Sequence, residues 1–143
     1  MQTHRELLLE GRKTLEEAGI ADSTTDAWLL MEYITGMTRA SYFMRENEEM
    51  SREQAEKYRE MIRRRAQHIP LQHITHEAWF YGLKFYVDEH VLTPRQDTEV
   101  LVEEVLLEAG KMQAGSSRSR ILDMCTGSGC ILLALLSVLK EAE

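Results

Sequence analysis

The chain has 143 residues, 43% of them hydrophobic and 29% charged, with a net charge of −7. That is room for one domain, or for a small domain and a piece of a second, and enough apolar material for a packed core, which argues against global disorder. The acidic balance disfavours non-specific binding to nucleic acid or an anionic membrane, because the summed field repels phosphate.

The first 70 or so residues read as helices separated by caps. Thr3-His4-Arg5-Glu6 has capping-box spacing, and Leu7, Leu8, Leu15 and Ala18 follow at helical intervals up to a stop at Gly19. Asp22-Ser23 offers a second cap, ahead of a stripe formed by Ala27, Leu30, Met31 and Ile34 that ends at Gly36. A short helix is expected after Thr38, through Ala40 to Met44. Ser51-Arg52-Glu53-Gln54 is a further capping box, opening a long polar helix to about His68. Pro70 stops that helix, since the residue before a proline avoids helical backbone.

Beyond Pro70 the pattern changes. Trp79-Phe80-Tyr81 and Lys84-Phe85-Tyr86-Val87 flank Gly82 and predict a β-hairpin. Thr93-Pro94-Arg95 leads out of it, into a helix expected from about Asp97 to Ala109 and closed by Gly110. A small polar loop over 114–119 precedes Ile121-Leu122-Asp123-Met124, which reads as a buried strand. Thr126-Gly127-Ser128-Gly129 is a tight turn, and Cys130 to Leu139 an apolar helix. Strand, glycine turn and helix together open an α/β nucleotide-binding domain.

The two cysteines, Cys125 and Cys130, form no disulfide framework and suggest a reducing compartment. They lack Cys-x-x-Cys spacing and read as core thiols. The N-terminus carries no apolar signal core. The apolar run from Cys130 to Leu139 falls short of the ~20 residues of a membrane span. A cytoplasmic protein is expected.

Chemistry concentrates between Ile121 and Cys130. A glycine turn between strand and helix lets backbone approach a ligand and presents free N–H groups at the helix start. Those groups suit a carboxylate as well as a phosphate, and Asp123 can pair with an ammonium group. The combination fits an amino-acid-bearing cofactor such as S-adenosylmethionine better than a pyrophosphate. On the motif alone, a tight turn that binds nothing stays equally open. A P-loop is excluded, because no Gly-Lys-Ser/Thr follows, and Cys125 at the first glycine position weakens a dinucleotide fingerprint and an oxidoreductase reading.

Other signals read as bland. His68, His73, His76 and His90 lack zinc-ligand spacing, so no metal is expected. Arg59, Arg63, Arg64 and Arg65 form a basic face balanced by Glu53, Glu56 and Glu60, with docking to an acidic partner as the alternative. Trp28, Tyr33, Tyr42 and Phe43 are expected in the core of the helical part.

Four blocks carry a more specific resemblance. Pro70-Leu71-Gln72-His73-Ile74 resembles the Pro-Leu-Gln-Tyr-Ile stretch of HemK/PrmC methyltransferases. Phe80-Tyr81-Gly82-Leu83-Lys84-Phe85 resembles their hairpin, and Val91 to Glu99 their Pro-Arg-x-x-Thr-Glu segment. Ile121 to Ile131 is similar to their cofactor motif, with Cys125 at a position usually held by glycine. The resemblance implies a helical N-terminal domain over 1–70 that orients the substrate. A hairpin connector over 71–93 and the first strand–turn–helix of a Rossmann-like α/β methyltransferase domain over 94–143 would follow. It implies methyl transfer from S-adenosylmethionine to the glutamine side-chain nitrogen of the Gly-Gly-Gln motif in class I peptide chain release factors. Asp123, Cys125, Thr126, Gly127, Ser128 and Gly129 would form the cofactor loop. Arg95, Thr98 and Glu99 would lie near the cleft, with helix capping and a surface ion pair as the equally open alternative.

The family's catalytic Asn-Pro-Pro-Tyr motif does not occur in these 143 residues. The single asparagine, Asn47, precedes Glu48, and Pro70 and Pro94 are never adjacent. An acidic residue for the cofactor ribose is expected about 20 residues past the turn, beyond Glu143. The chain is therefore expected to be a fragment or truncated product, without catalysis of its own. The alternative is a non-enzymatic helical module that binds release factors.

Overall fold

The computed structural model describes residues 2–113 and 120–140. They fall into two compact units, Met1–Thr75 and His76–Glu143.

The first unit is helical. In α1 (His4–Glu17) the capping box is complete: Thr3 Oγ1 accepts from the Glu6 N–H, and the Glu6 carboxylate accepts from the Thr3 N–H. Gly19 follows at φ +74°, which favours glycine. Asp22 stands at the N-cap of α2 (Ser23–Thr35) but makes no capping bond with its side chain. Gly36, in the left-handed conformation, ends that helix. Thr38 caps α3 (Arg39–Arg45) by accepting from the Ser41 N–H. Only half of the expected box forms at α4 (Arg52–Ala66). Ser51 accepts from the Gln54 N–H, but Gln54 Oε1 accepts from the Ser51 hydroxyl and not from its N–H, while Gln54 Nε2 donates to the Ile34 carbonyl of α2.

A fifth helix, α5 (Leu71–Thr75), was not expected. α4 ends ahead of Pro70, with Gln67 as its C-cap and His68 left-handed at φ +64°, and Pro70 starts α5: its carbonyl accepts from the His73 and Ile74 N–H groups. The compact units divide after Thr75, so Leu71–Thr75 packs with the helical unit.

Leu7, Leu15, Leu30, Met31, Met50 and Tyr58 fill the core of this unit. α1 and α4 approach closely at Gly11, where an added Cβ would meet the Tyr58 hydroxyl at 2.3 Å. That hydroxyl donates to the Ala27 carbonyl of α2, and burial pushes it above the usual tyrosine range. Trp28 and Tyr42 are buried as expected, in an edge-to-face pair 5.2 Å apart. Tyr33 and Phe43 are exposed instead. Phe43 follows Tyr42 on α3, whose buried residue is Tyr42 alone. Tyr33 points outward and donates its hydroxyl to the Thr75 carbonyl.

The basic face of α4 is only partly a solvated surface. Arg63 pairs with Glu60 on its own helix. Arg59, however, reaches Glu10 of α1 at 2.7 Å, and Arg65 reaches the largely buried Asp26 of α2 at 2.7 Å. Both tie helices together.

The second unit opens with the hairpin. β1 (Glu77–Phe80) and β2 (Leu83–Tyr86) pair antiparallel, with Ala78 opposite Phe85 and Phe80 opposite Leu83. Tyr81 (φ +49°) and Gly82 (φ +73°) both take the left-handed backbone that a tight two-residue hairpin turn demands. Alternation sends Ala78, Phe80 and Phe85 inward and Trp79 and Tyr86 outward. A single 3₁₀ turn, Gln96–Thr98, precedes α6 (Glu99–Gln113). That helix runs through Gly110, which was expected to close it. A glycine in helical conformation only lowers propensity; it ends a helix when it turns left-handed. α7 (Cys130–Val138) follows the glycine turn. Phe80, Phe85, Val87, Val102, Cys130, Ala134 and Leu135 form one buried cluster, so the hairpin shares its core with α6 and α7.

The expected strand at Ile121–Met124 is not formed among the described residues. Leu122 and Met124 are 83% and 77% exposed. A strand exists through its ladder to a neighbour, and the only sheet among the described residues is the hairpin. The loop over 114–119 lies outside the described residues.

Candidate functional site

The segment from Asp123 to Gly129 is a sequence of left-handed turns in front of α7. Cys125 (φ +63°), Gly127 (φ +55°) and Gly129 (φ +73°) alternate with ordinary residues. Space does not dictate glycine at 127 or 129, because a Cβ there would meet nothing closer than 3.7 Å. The backbone sign does. At Cys125 the same conformation is held by a residue with a Cβ, a strained arrangement.

The loop is braced from within. Thr126 Oγ1 donates to Asp123 Oδ2 at 2.9 Å, which fixes the carboxylate on the loop side. The Gly129 N–H closes the turn on the Thr126 carbonyl at 2.8 Å, and the Leu133 N–H returns to the Gly129 carbonyl. The N-cap of α7, Gly129, has no side chain to cap the first turn. Its N–H groups, with the positive end of the helix dipole, are suited to an anionic group such as a carboxylate. The braced Asp123, at the other end of the turn, is suited to a cation. An α-amino acid presents this pair of charges on one carbon, so the residues fit the methionine end of S-adenosylmethionine.

Cys125 is exposed, against the expectation of a core thiol, because its side chain sits on the outer loop; Cys130, on α7, is buried as expected. No group of histidines, cysteines and carboxylates among the described residues could hold a metal ion.

The second set of candidates divides. Arg95 forms an exposed ion pair with Asp97 and precedes the 3₁₀ turn. Thr98 lies within that turn. Glu99 begins α6, and its Oε1 accepts from the Tyr81 N–H at the hairpin apex, 2.9 Å away. No hydrogen bond or ion pair links these three to the Asp123–Gly129 loop among the described residues. The Glu99–Tyr81 contact spans 18 positions, and no motif in the sequence announces it.

A helical unit followed by the opening of a methyltransferase domain is the class these elements define. Residues 6–75 match the PrmC N-terminal domain family. A release factor glutamine methyltransferase of Agrobacterium fabrum is 36% identical over 136 residues, covering 95% of this chain and 47% of the relative. One from Deinococcus radiodurans is 33% identical over 139 residues, covering 97% and 49%. One from Thermodesulfovibrio yellowstonii is 49% identical over 90 residues, covering 63% and 32%. Residues 6–75 are thus a PrmC-type N-terminal domain, and along nearly its whole length the chain is similar to release factor glutamine methyltransferases. It spans about half the length of the first two relatives. No helix among the described residues is long and apolar enough to cross a membrane.

Proposed function

We propose that this chain is the substrate-orienting and cofactor-holding part of an S-adenosylmethionine-dependent methyltransferase. Its substrate would be the glutamine side-chain nitrogen of the Gly-Gly-Gln motif in class I peptide chain release factors. The carrying observation is that similarity to proteins named release factor glutamine methyltransferase runs through 95% of the chain, across both compact units.

In this reading Asp123 holds the cofactor ammonium group. Thr126 keeps that carboxylate in place, and the backbone of Cys125 to Gly129 with the start of α7 receives the cofactor carboxylate. When bound, the cofactor supplies the activated methyl group. An amide nitrogen is a poor nucleophile because its lone pair is delocalised, so positioning must supply much of the catalysis. The family's positioning motif, Asn-Pro-Pro-Tyr, is not in these 143 residues. The chain therefore binds and orients but does not transfer by itself. Nucleic acid and membrane are not partners in this scheme.

The test is to incubate the purified chain with a class I release factor and labelled S-adenosylmethionine, measuring complex formation and label transfer separately. The proposal expects a complex and no transfer. Transfer by the chain alone would overturn its incompleteness. Failure to bind any class I release factor would overturn the orienting role.

A second reading has one observation in its favour. The family match at residues 6–75 coincides closely with the compact unit Met1–Thr75. A separable helical module that binds release factors without modifying them fits that coincidence. It is distinguished by expecting complex formation and no cofactor binding.

A further inference from the structure

We propose that Glu99 is a positioning residue that latches the hairpin apex to the start of α6, and not a ligand of the cofactor. This sharpens the cofactor-binding reading above by removing one charged group from the candidate cleft.

In a two-residue hairpin turn the first central residue has no ladder partner for its N–H. Here that residue is Tyr81, held at φ +49° with a bulky side chain. Left-handed backbone is unfavourable for such a residue and persists only where its surroundings hold it. The surroundings supply two restraints. The partly buried Tyr81 ring packs against the second core cluster. The Glu99 carboxylate accepts the Tyr81 N–H at 2.9 Å from the first turn of α6. A hydrogen bond to an ionised acceptor is among the stronger kinds.

The latch also sets where α6 begins against the hairpin. Three residues into that helix, Val102 is fully buried in the cluster that contains Phe80 and Phe85 of the hairpin and Cys130 and Ala134 of α7. The hairpin apex, α6 and the helix behind the glycine loop thus share one packed set of side chains. Glu99 acts on the loop through that packing. The Tyr81 N–H engages Oε1, so a ligand role would fall mainly to Oε2 of the same carboxylate.

Charge separates the two roles. Glu99→Gln keeps a carbonyl oxygen that can accept the Tyr81 N–H but removes the negative charge that a ligand role would use. Glu99→Ala removes both. The experiment is amide hydrogen exchange of the full chain at neutral pH, read at the Tyr81 N–H, with S-adenosylmethionine titrated into the same three proteins. The latch predicts that Glu99→Ala speeds Tyr81 exchange by about tenfold or more, while Glu99→Gln stays within about threefold of the parent. It also predicts that Glu99→Gln leaves the cofactor affinity unchanged. Equal Tyr81 exchange in the parent and Glu99→Ala would overturn the latch. Normal exchange with lost cofactor affinity in Glu99→Gln would make Glu99 a ligand instead. If the parent binds no cofactor, the cofactor reading fails, and the exchange data still decide the latch.

Discussion

Replacing Cys125 by glycine should strengthen the loop in front of α7. Cys125 sits at φ +63°, where an L side chain crowds the following carbonyl. That crowding costs about 1–2 kcal/mol per residue. Glycine removes the crowding but enlarges the freedom of the open loop, a cost of about 0.5–1 kcal/mol. The difference favours glycine by roughly 0.5–1 kcal/mol, a factor of about two to five in an opening equilibrium. The Gly129 and Leu133 amides report it, because both are hydrogen-bonded to loop carbonyls. Their exchange in Cys125→Gly should slow by about two- to fivefold under conditions where exchange follows the opening equilibrium. Cys125→Ala is the control: it deletes the thiol and keeps the Cβ, so it should bring no slowing. Unchanged or faster exchange in Cys125→Gly, or equal slowing in Cys125→Ala, would refute the strain argument.

Three further outcomes concern the helical unit. Gly11→Ala drives a methyl group into the Tyr58 hydroxyl and should destabilise by about 1–3 kcal/mol in urea unfolding. In a Tyr58→Phe background the same change should cost less, because the nearest clashing atom is gone, and simple additivity would count against the packing described. Asp26→Ala leaves the largely buried Arg65 guanidinium with the Ile69 carbonyl as its remaining partner and should cost about 1–3 kcal/mol; a loss under about 0.5 kcal/mol would show the pair to be solvated. The hydrogen bond from Arg59 holds Glu10 below the usual carboxylate range. Its stabilisation is therefore present above the unfolded-state value and lost as pH falls through the lower folded value. Glu10→Gln should flatten the fall in urea midpoint between about pH 5 and 3, by less than about 1 kcal/mol because the pair is partly exposed. Identical acid limbs would exclude the contribution.

The sequence made local structure legible wherever one residue acts on its own neighbours. The Thr3 box, the Thr38 and Ser51 caps, the left-handed Gly36 and the hairpin around Gly82 all stand where side-chain chemistry put them. It was less reliable where a residue had a choice of partners. Gln54 has box spacing but bonds across to α2. Gly110 looked like a stop, yet its backbone stays helical. Pro70 marks an end in the sequence pattern, yet in the structure it begins α5. Long-range contacts left no local trace. The buried His4, with Nδ1 2.9 Å from the Glu48 carbonyl, and the Arg59 and Arg65 ties between helices carry no motif. At the candidate site the left-handed Gly127 and Gly129 follow from the motif, whereas the Asp123–Thr126 brace is announced by nothing in it. The strand before it does not form, because apolar pattern cannot make a strand without a neighbour to pair with.

The most direct test of the account is a calorimetric titration of the full chain with S-adenosylmethionine, repeated with Asp123→Ala. The account predicts saturable binding tighter than about 1 mM in the parent and its loss in Asp123→Ala. No binding by the parent, or equal binding by both, would contradict the assignment of the Asp123–Gly129 loop as the cofactor site.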